Sequence, residues 1–476
     1  MSYNEFILKK LIQNYTTLRI DSISKLPQSG SSRIYFRIVF AGESTLIGVY
    51  NADLRENEAF FSLSQTFFEK GIAVPEVLAI DHNRQYYLLN DLGDENLYSW
   101  LVSHRKGEEL GEEVLTYYRK VLHALPRIQL TGKAIDFSIC YPRSAFDRQS
   151  MQWDLNYFKY YFLKLANIPF DEQLLENDFH TFMDFLLEAD NDFFLYRDFQ
   201  SRNIMLHNDK SYFIDYQGGR KGALQYDVAS LLYDGKADIS PEDRNVLLST
   251  YLDEAEKVLS FDKTQFLRYF DGFVLIRILQ AFGTYGFRGY YEKKSHFLLS
   301  IPYAIRNINY LLETMNLPIE IPELLKVLKA ITLSKEFPQL QKNSSGLTVT
   351  VTSFSYKKGI PQDLSANGGG FAFDCRALPN PGRETQYREL DGRDQTVIEY
   401  LEKSDEITHF KQHVFALIDA SISNYLERNF THLMVNFGCT GGQHRSVYFA
   451  ETAAKHIRGK YPKVNVVLRH TREMNN

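Results

Sequence analysis

Apolar and β-branched residues alternate or run together over residues 32–40 and 44–50, and Ala41-Gly42-Glu43 supplies a turn between them, so the pair reads as a β-hairpin. Over residues 54–70 the apolar positions Phe60, Phe61, Leu63, Phe67 and Phe68 fall at the spacing of an amphipathic helix, closed by Gly71. Val77–Ile80 and Tyr86–Leu89 predict two further strands around an Asp81-His82-Asn83-Arg84 turn. Asn90-Asp91-Leu92-Gly93 breaks the pattern and reads as a hinge, after which residues 96–333 are mainly helical in period. The expectation is an α+β, bilobal domain: a small β-rich lobe over 1–95 and a large helical lobe over 96–333.

The pattern then stops. Residues 334–346 are polar and turn-rich and predict a linker. Beyond it, residues 347–354 form a β-branched run, and Gly368-Gly369-Gly370 precedes a strand at Phe371–Asp374. Helices are expected at 394–402 and 409–428, followed by a strand at Leu433–Phe437, a Gly-rich loop at 438–446 and another helix. Strand, Gly-rich loop, helix is an α/β unit, so residues 347–476 predict a separate α/β domain.

Composition narrows the class. A chain of 476 residues is too long for one ordinary core. Apolar content of 44% and charged content of 24% are those of a globular protein. A net charge of −5 gives no global reason for nucleic-acid or membrane binding. Cys140, Cys375 and Cys439 are odd in number and widely spaced, which argues against a disulfide framework. The opening residues lack the apolar run of a secretory signal, and no apolar stretch reaches the roughly 18 residues of a membrane span, so a cytoplasmic location is expected.

The chemistry concentrates in residues 192–216. Asp198 stands five residues before Asn203, and Asp215 follows a short apolar run. Phosphoryl transfer from ATP needs such a set: a carboxylate to orient the attacking hydroxyl and take its proton, and an amide and a second carboxylate to hold Mg²⁺. Protein kinases use the same Asp-x4-Asn spacing followed by an Asp. Here Arg197 stands near the place of their usual His, and Gln217 replaces the Gly after the metal Asp. Gln28-Ser29-Gly30-Ser31-Ser32-Arg33 lies where a loop over ATP phosphates is expected; Gly30, Ser31, Ser32 and Arg33 are its candidate nucleotide contacts, with Asn90 and Leu92 at the hinge. No lysine occurs between Lys25 and Lys70, so the usual phosphate-binding lysine of the third strand is missing, and Arg33 or Arg37 is left to supply that charge. Glu56 and Glu58 then compete with an ordinary solvated helix face as the cation's partner.

These departures resemble small-molecule kinases of the aminoglycoside phosphotransferase type. The stretch Tyr226-Asp227-Val228-Ala229 is similar to one that follows the metal site there, which implies that Asp227 braces the catalytic loop. Ser31-Ser32-Arg33-Ile34-Tyr35-Phe36-Arg37, Glu56-Asn57, Gly71-Ile72-Ala73-Val74-Pro75, Arg197-Asp198-Phe199 with Asn203, and Asp215-Tyr216-Gln217 resemble the bacterial anomeric kinases of N-acetylmuramate and N-acetylglucosamine. That resemblance covers residues 1–333 and implies an amino-sugar substrate, ATP and Mg²⁺, and a role in cell-wall recycling. It also implies substrate contacts near Trp153-Asp154-Leu155-Asn156, so Asp154, Asn156 and Arg202 are candidate sugar ligands; Asp154 could equally cap a helix start.

In the C-terminal part, Cys439 and Arg445 are separated by five residues and Ser446 follows, the spacing of cysteine-dependent phosphatases. Such a loop places N–H groups and a guanidinium around a phosphate. Gly438 stands where those enzymes carry His, and binding without chemistry is the favoured expectation. Residues 354–361, 373–381 and 438–447 resemble, in order, the C-terminal domain of the RapZ RNase adapter family. The resemblance implies a site for glucosamine-6-phosphate, lined by Asp374, Arg376, Thr440, Gly441, Gly442, His444 and Arg445, and a part in small-RNA binding. The tail from Arg469 carries few basic residues. A kinase fused to an amino-sugar-phosphate sensor is therefore expected; the rivals are a regulator with a degenerate kinase part and a Cys439-dependent phosphatase.

Overall fold

A polar edge strand and an apolar helix face, both at the start of the chain, complete the small lobe. The computed structural model describes residues 3–27, 33–105, 107, 110–259, 261–334, 337, 347–361, 369–428 and 430–471. The chain divides into one unit of residues 1–284 with 303–333 and a second of 285–302 with 334–476.

In the first unit, α1 (Tyr3–Tyr15) precedes β1 (Ile20–Lys25), β2 (Ile34–Phe40) and β3 (Thr45–Tyr50); α2 (Leu54–Glu69) then leads to β4 (Val77–Ile80) and β5 (Tyr86–Asn90). The strands form an antiparallel sheet in the order β1-β2-β3-β5-β4. The expected hairpin is present, with Ile34 opposite Tyr50 and Val39 opposite Thr45. α1 and β1 were not expected. In β1 a register shift between Ile20 and Ser22 breaks the alternation, so Ile20 and Ile23 both pack inward despite their odd spacing. They join Leu8, Leu11 and Ile12 of α1 against Phe36, Ile38, Phe40, Tyr86 and Leu88. Gly48 makes room for this helix: a Cβ there would lie 2.9 Å from Leu8 Cδ2. α2 starts at Asp53, whose carboxylate accepts the Arg55 and Glu56 N–H groups, and buries Phe60, Phe61, Leu63 and Phe67.

The large lobe contains α3 (Leu97–His104), α4 (Glu112–Leu130), α5 (Arg148–Tyr157) and α6 (Glu172–Leu187). Four short strands follow: β6 (Phe193–Leu195), β7 (Ile204–His207), β8 (Lys210–Phe213) and β9 (Arg220–Gly222). β6 pairs with β9 and β7 with β8, both antiparallel. The rest is helical: α7 (Gln225–Leu232), α8 (Pro241–Val258), α9 (Lys263–Tyr285), α10 (Ile301–Thr314) and α11 (Pro322–Leu333). Two strand pairs thus lie inside a stretch whose period is helical, and they carry the candidate chemistry between them.

The second unit runs β10 (Thr348–Ser355), β11 (Gly370–Asp374), α12 (Gln395–Glu402), α13 (Asp405–Glu427), β12 (His432–Cys439), α14 (Arg445–Lys460) and β13 (Asn465–His470). Its four strands are parallel in the order β11-β12-β10-β13. Val349, Val351, Leu433, Val435 and Phe437 of the sheet pack with Phe449, Ala450, Ala453, Ala454 and Ile457 of α14, the continuous burial that parallel strands require. Every expected element of this unit is present; β13 was not foreseen.

Candidate active site

The catalytic loop is held by a buried carboxylate. Asp227, on the wholly buried α7, accepts the N–H groups of Tyr196 at 2.8 Å and Arg197 at 3.1 Å just after β6. Arg197 takes a left-handed backbone conformation, φ 83°, which turns the chain toward Asp198. Its guanidinium donates to both oxygens of Asp154, at 2.8 and 2.6 Å, and to the Tyr226 hydroxyl at 2.6 Å. The Tyr196 hydroxyl donates to the Ile214 carbonyl at 2.6 Å, tying the loop to the segment after β8.

Asp198, Asn203 and Asp215 are brought together. Asn203 Nδ2 donates to the Asp198 carbonyl at 2.9 Å and lies 3.4 Å from Asp215 Oδ2. The Ile214 N–H donates to the Asn203 carbonyl at 3.0 Å, and Asp215 sits at φ 70°. Burial pushes the Asp215 carboxyl up and the nearby Asp198 adds to this, while the Gln217 amide, bonded at 2.7 Å, and the charges of Arg33 and Arg202 act in the opposite direction. Two mutually repelling carboxylates beside an amide oxygen, Asn203 Oδ1, left over by the Nδ2 bonds form a hard-oxygen set that suits Mg²⁺. Among the described residues no group of three or more His, Cys, Asp or Glu could hold a metal ion, whereas Mg²⁺ is ordinarily held by one or two carboxylates plus phosphate oxygens.

The missing lysine has a structural counterpart. Arg33, only 3% exposed, lies just before β2, and its Nη2 is 3.4 Å from Glu56 Oε1 on α2. Asn51 Nδ2, at the end of β3, donates to Glu56 Oε2 at 2.8 Å and holds the carboxylate toward Arg33. Burial opposes the Arg33 charge, but Tyr87, Tyr35 and Glu56 around it more than offset that. Arg37 does not share this role. Its Nε bonds Asp91 at 2.6 Å and its Nη2 bonds Asp94 at 2.8 Å, so it clamps the hinge instead of offering charge to a phosphate. Glu58 is a surface partner of Arg84.

The remaining candidates fall into place unevenly. Gly30, Ser31 and Ser32 lie outside the described residues. Asn90 ends β5, with its Oδ1 accepting the Glu76 N–H at 2.7 Å, and Leu92 is buried beside it. Both Asp154 oxygens are engaged by Arg197, so its carboxylate positions the catalytic loop. Asn156 Oδ1 accepts from Gln152 Nε2 at 3.1 Å within α5. Arg202 is exposed in the loop between Asp198 and Asn203, and its charge acts on Asp215. Arg220, on β9 opposite Leu195, was passed over in the sequence because no motif marks it.

Burial pushes the Asp227 carboxyl up to about 7, against the pull of the Tyr196 and Arg197 N–H groups and the Gln129 amide. An acid raised in the fold binds more protons there than in the unfolded chain. Asp227 therefore makes stability fall as the pH rises from its ordinary 3.8 toward about 7. In Asp227→Asn this limb of the pH–stability curve should flatten, as read by urea unfolding across that range; an unchanged slope would remove Asp227 as its source.

In the second unit, the loop from β12 to α14 surrounds Cys439. Its Sγ lies 3.2 Å from the Ser446 hydroxyl. Burial pushes the thiol up, but the Ser446 hydroxyl and the N–H groups of Ser446, Gln443 and Gly442 outweigh it and leave it below its ordinary value. Gly442 takes φ 69°, and a Cβ there would come within 3.0 Å of the Ser355 nitrogen. A cavity of about 200 Å³ is lined by Cys439, Thr440, Gly441, His444 and Arg445 together with Asn380 and Arg388, neither of which was among the expected site residues. Arg445 Nη1 donates to the Arg376 and Leu378 carbonyls, both at 2.9 Å, and the His444 ring lies 2.8 Å from the Tyr387 carbonyl. Asp374 and Arg376 pair with each other at 2.6 Å, with the guanidinium over the Tyr356 ring; neither is among the residues lining the cavity, and Ser446 lies buried behind the loop.

Comparison with known proteins agrees with this division. Residues 347–474 match the model of the RapZ C-terminal domain. A nucleotide-binding protein of Azoarcus sp. (strain BH72) is 42% identical over 127 residues, 27% of this chain and 41% of the relative. The chain thus spans about two fifths of the length of the curated relatives it matches. Among solved structures, a choline kinase from Cryptosporidium parvum Iowa II is 12% identical with a TM-score of 0.45, covering 68% of this chain and 99% of that one. A choline/ethanolamine kinase family protein from Mesorhizobium loti is 13% identical with a TM-score of 0.43, covering 69% and 99%. No helix among the described residues is long and apolar enough to cross a membrane. Residues 23–261, half of the chain and the part that carries Asp198, Asn203 and Asp215, match the model of the phosphotransferase enzyme family, and the chain belongs to that family.

Proposed function

We propose that this chain transfers the γ-phosphoryl group of ATP to the anomeric hydroxyl of an amino sugar, N-acetylmuramate or N-acetylglucosamine, and that its second unit binds an amino-sugar phosphate. The observation that carries the first part is the assembly of Asp198, Asn203 and Asp215 beside the buried Arg33–Glu56 pair. Asp198 orients the C1 hydroxyl and takes its proton as the oxygen attacks phosphorus. Asn203 and Asp215 would hold Mg²⁺, which would supply neutralisation of the phosphate charge. Arg33, fixed by Glu56 and Asn51, supplies the cation that other kinases place on the third strand. The sugar itself rests on the resemblance of the first unit to anomeric kinases and on the nature of its fusion partner. ADP release with a panel of amino sugars tests it; a folded sample that turns over none of them overturns the substrate.

For the second unit, the cavity at Cys439–Arg445 and its main-chain N–H groups support a phosphate-bearing ligand. Calorimetry with glucosamine-6-phosphate should show binding that weakens roughly tenfold or more in Arg445→Ala, because Arg445 shapes the loop through the 376 and 378 carbonyls. Equal binding by both proteins would remove Arg445 from the site. The lowered Cys439 thiol favours a second reading, thiol-dependent phosphoester hydrolysis. Hydrolysis that disappears in Cys439→Ser would establish it.

A further inference from the structure

Among the described residues Arg220, unlike the neighbouring Arg197, is a buried guanidinium near Asp198 that no carboxylate holds. Among the described residues its hydrogen bonds are those of Nε and Nη2 to the Gly218 carbonyl, at 3.0 and 2.8 Å, and the residue is 7% exposed. Among those residues Nη1 makes no hydrogen bond. The adjacent Arg197 is fully engaged by Asp154 and Tyr226. Lys221, the next residue, turns to the surface and pairs with Asp192 at 2.8 Å. A buried guanidinium served only by one main-chain carbonyl is costly unless something completes it. Burial and the like charge of Arg197 bring Arg220 down to about 10, with Asp154 and Asp198 acting in the opposite direction.

Its place relative to the reaction is set by two observations. β9 pairs with β6 so that Arg220 faces Leu195, three residues before Asp198. The next residue, Lys221, donates its N–H to the Ser144 carbonyl at 2.9 Å and accepts the Phe146 N–H at 2.7 Å, which puts Arg220 beside the entry to α5, the helix whose Asp154 holds Arg197 next to Asp198.

We propose that Arg220, anchored on Gly218 with Nη1 left over, receives a carboxylate of the acceptor substrate, so that the site selects an acidic sugar over its neutral counterpart. The inference rests on the kinase reading of this site. Arg197 is taken up by Asp154, so Arg220, bonded to a main-chain carbonyl, is the guanidinium here with a charged N–H to offer a carboxylate.

N-acetylmuramate carries a lactyl carboxylate that N-acetylglucosamine lacks, and its methyl ester keeps the bulk without the charge. The wild-type protein should favour the acid over the ester by roughly 10- to 100-fold in kcat/KM, the range of a buried charged hydrogen bond. In Arg220→Gln the acid-to-ester ratio should collapse toward one, whatever the absolute rate, and Arg220→Lys should keep part of the preference. A wild-type ratio near one, or a ratio unmoved by Arg220→Gln, overturns the role of Arg220 and leaves the kinase reading standing. If no sugar turns over, the substrate reading falls on its own. Calorimetry with N-acetylmuramate and lactate then decides Arg220: binding lost in Arg220→Gln upholds the carboxylate site, and equal heats or no binding in both proteins overturn it.

Discussion

Replacing Asp198 by Asn is expected to lower turnover by roughly 10²- to 10⁴-fold while ATP binding stays near its wild-type strength. The side chain is nearly isosteric, and the loop does not depend on the Asp198 carboxylate for its shape. Asp227 holds the Tyr196 and Arg197 N–H groups, and the contacts of Gln200 and Asn203 go to the main-chain carbonyl of Asp198. What the amide lacks is the capacity to take the proton of the attacking hydroxyl. Stopped turnover with intact nucleotide affinity is the signature of that loss, read by ADP release and by titration with a fluorescent ATP analogue. Turnover within a few-fold of wild type would remove Asp198 as the base.

The second large effect is expected at Arg33. Arg33→Met should raise the KM for ATP about tenfold or more, the value of a charged hydrogen bond to phosphate. It should also destabilise the fold by about 1–3 kcal/mol, less than a fully buried pair because Glu56 keeps partial exposure. Among the described residues Glu56 then retains Asn51 alone as a side-chain partner, so Arg33→Met with Glu56→Gln should cost less stability than the two single changes summed. The two readouts separate the roles. A loss of stability with an unchanged KM for ATP would make Arg33 a structural ion and strengthen the rival in which the first unit is a regulatory nucleotide sensor.

The reacting groups were legible in the sequence because they are local. Asp198 and Asn203 share one loop, Asp215 follows a single hairpin, and the Cys439–Arg445 loop is continuous in the chain. Less legible were groups placed by tertiary contact. Asp154 reaches Arg197 across 43 positions, and it lies inside α5, whose start is capped by Asp147, so the helix-start role expected for Asp154 does not hold. The cation of the phosphate site moved from β3 to the residue before β2, so a search along the third strand finds nothing. Arg37 looks equivalent to Arg33 on paper, yet the nearby Asp91 and Asp94 hold it at the hinge, whereas Glu56 holds Arg33. Elements were lost for related reasons. The register shift in β1 hides its alternation, and α1 shows its apolar face only once Gly48 opens space on the sheet. In the second unit Asp374 and Arg376 satisfy each other, so a site drawn from the motif included two side chains that the cavity at Cys439 does not.

Phosphoryl transfer to the anomeric oxygen of an amino sugar leaves a product that phosphorus NMR identifies after the full chain is incubated with ATP, Mg²⁺ and N-acetylmuramate or N-acetylglucosamine. A new phosphomonoester resonance coupled to the C1 proton of the sugar, absent with Asp198→Asn, is expected. A resonance coupled to any other sugar proton, or ATP left intact with every amino sugar, would contradict transfer to that oxygen.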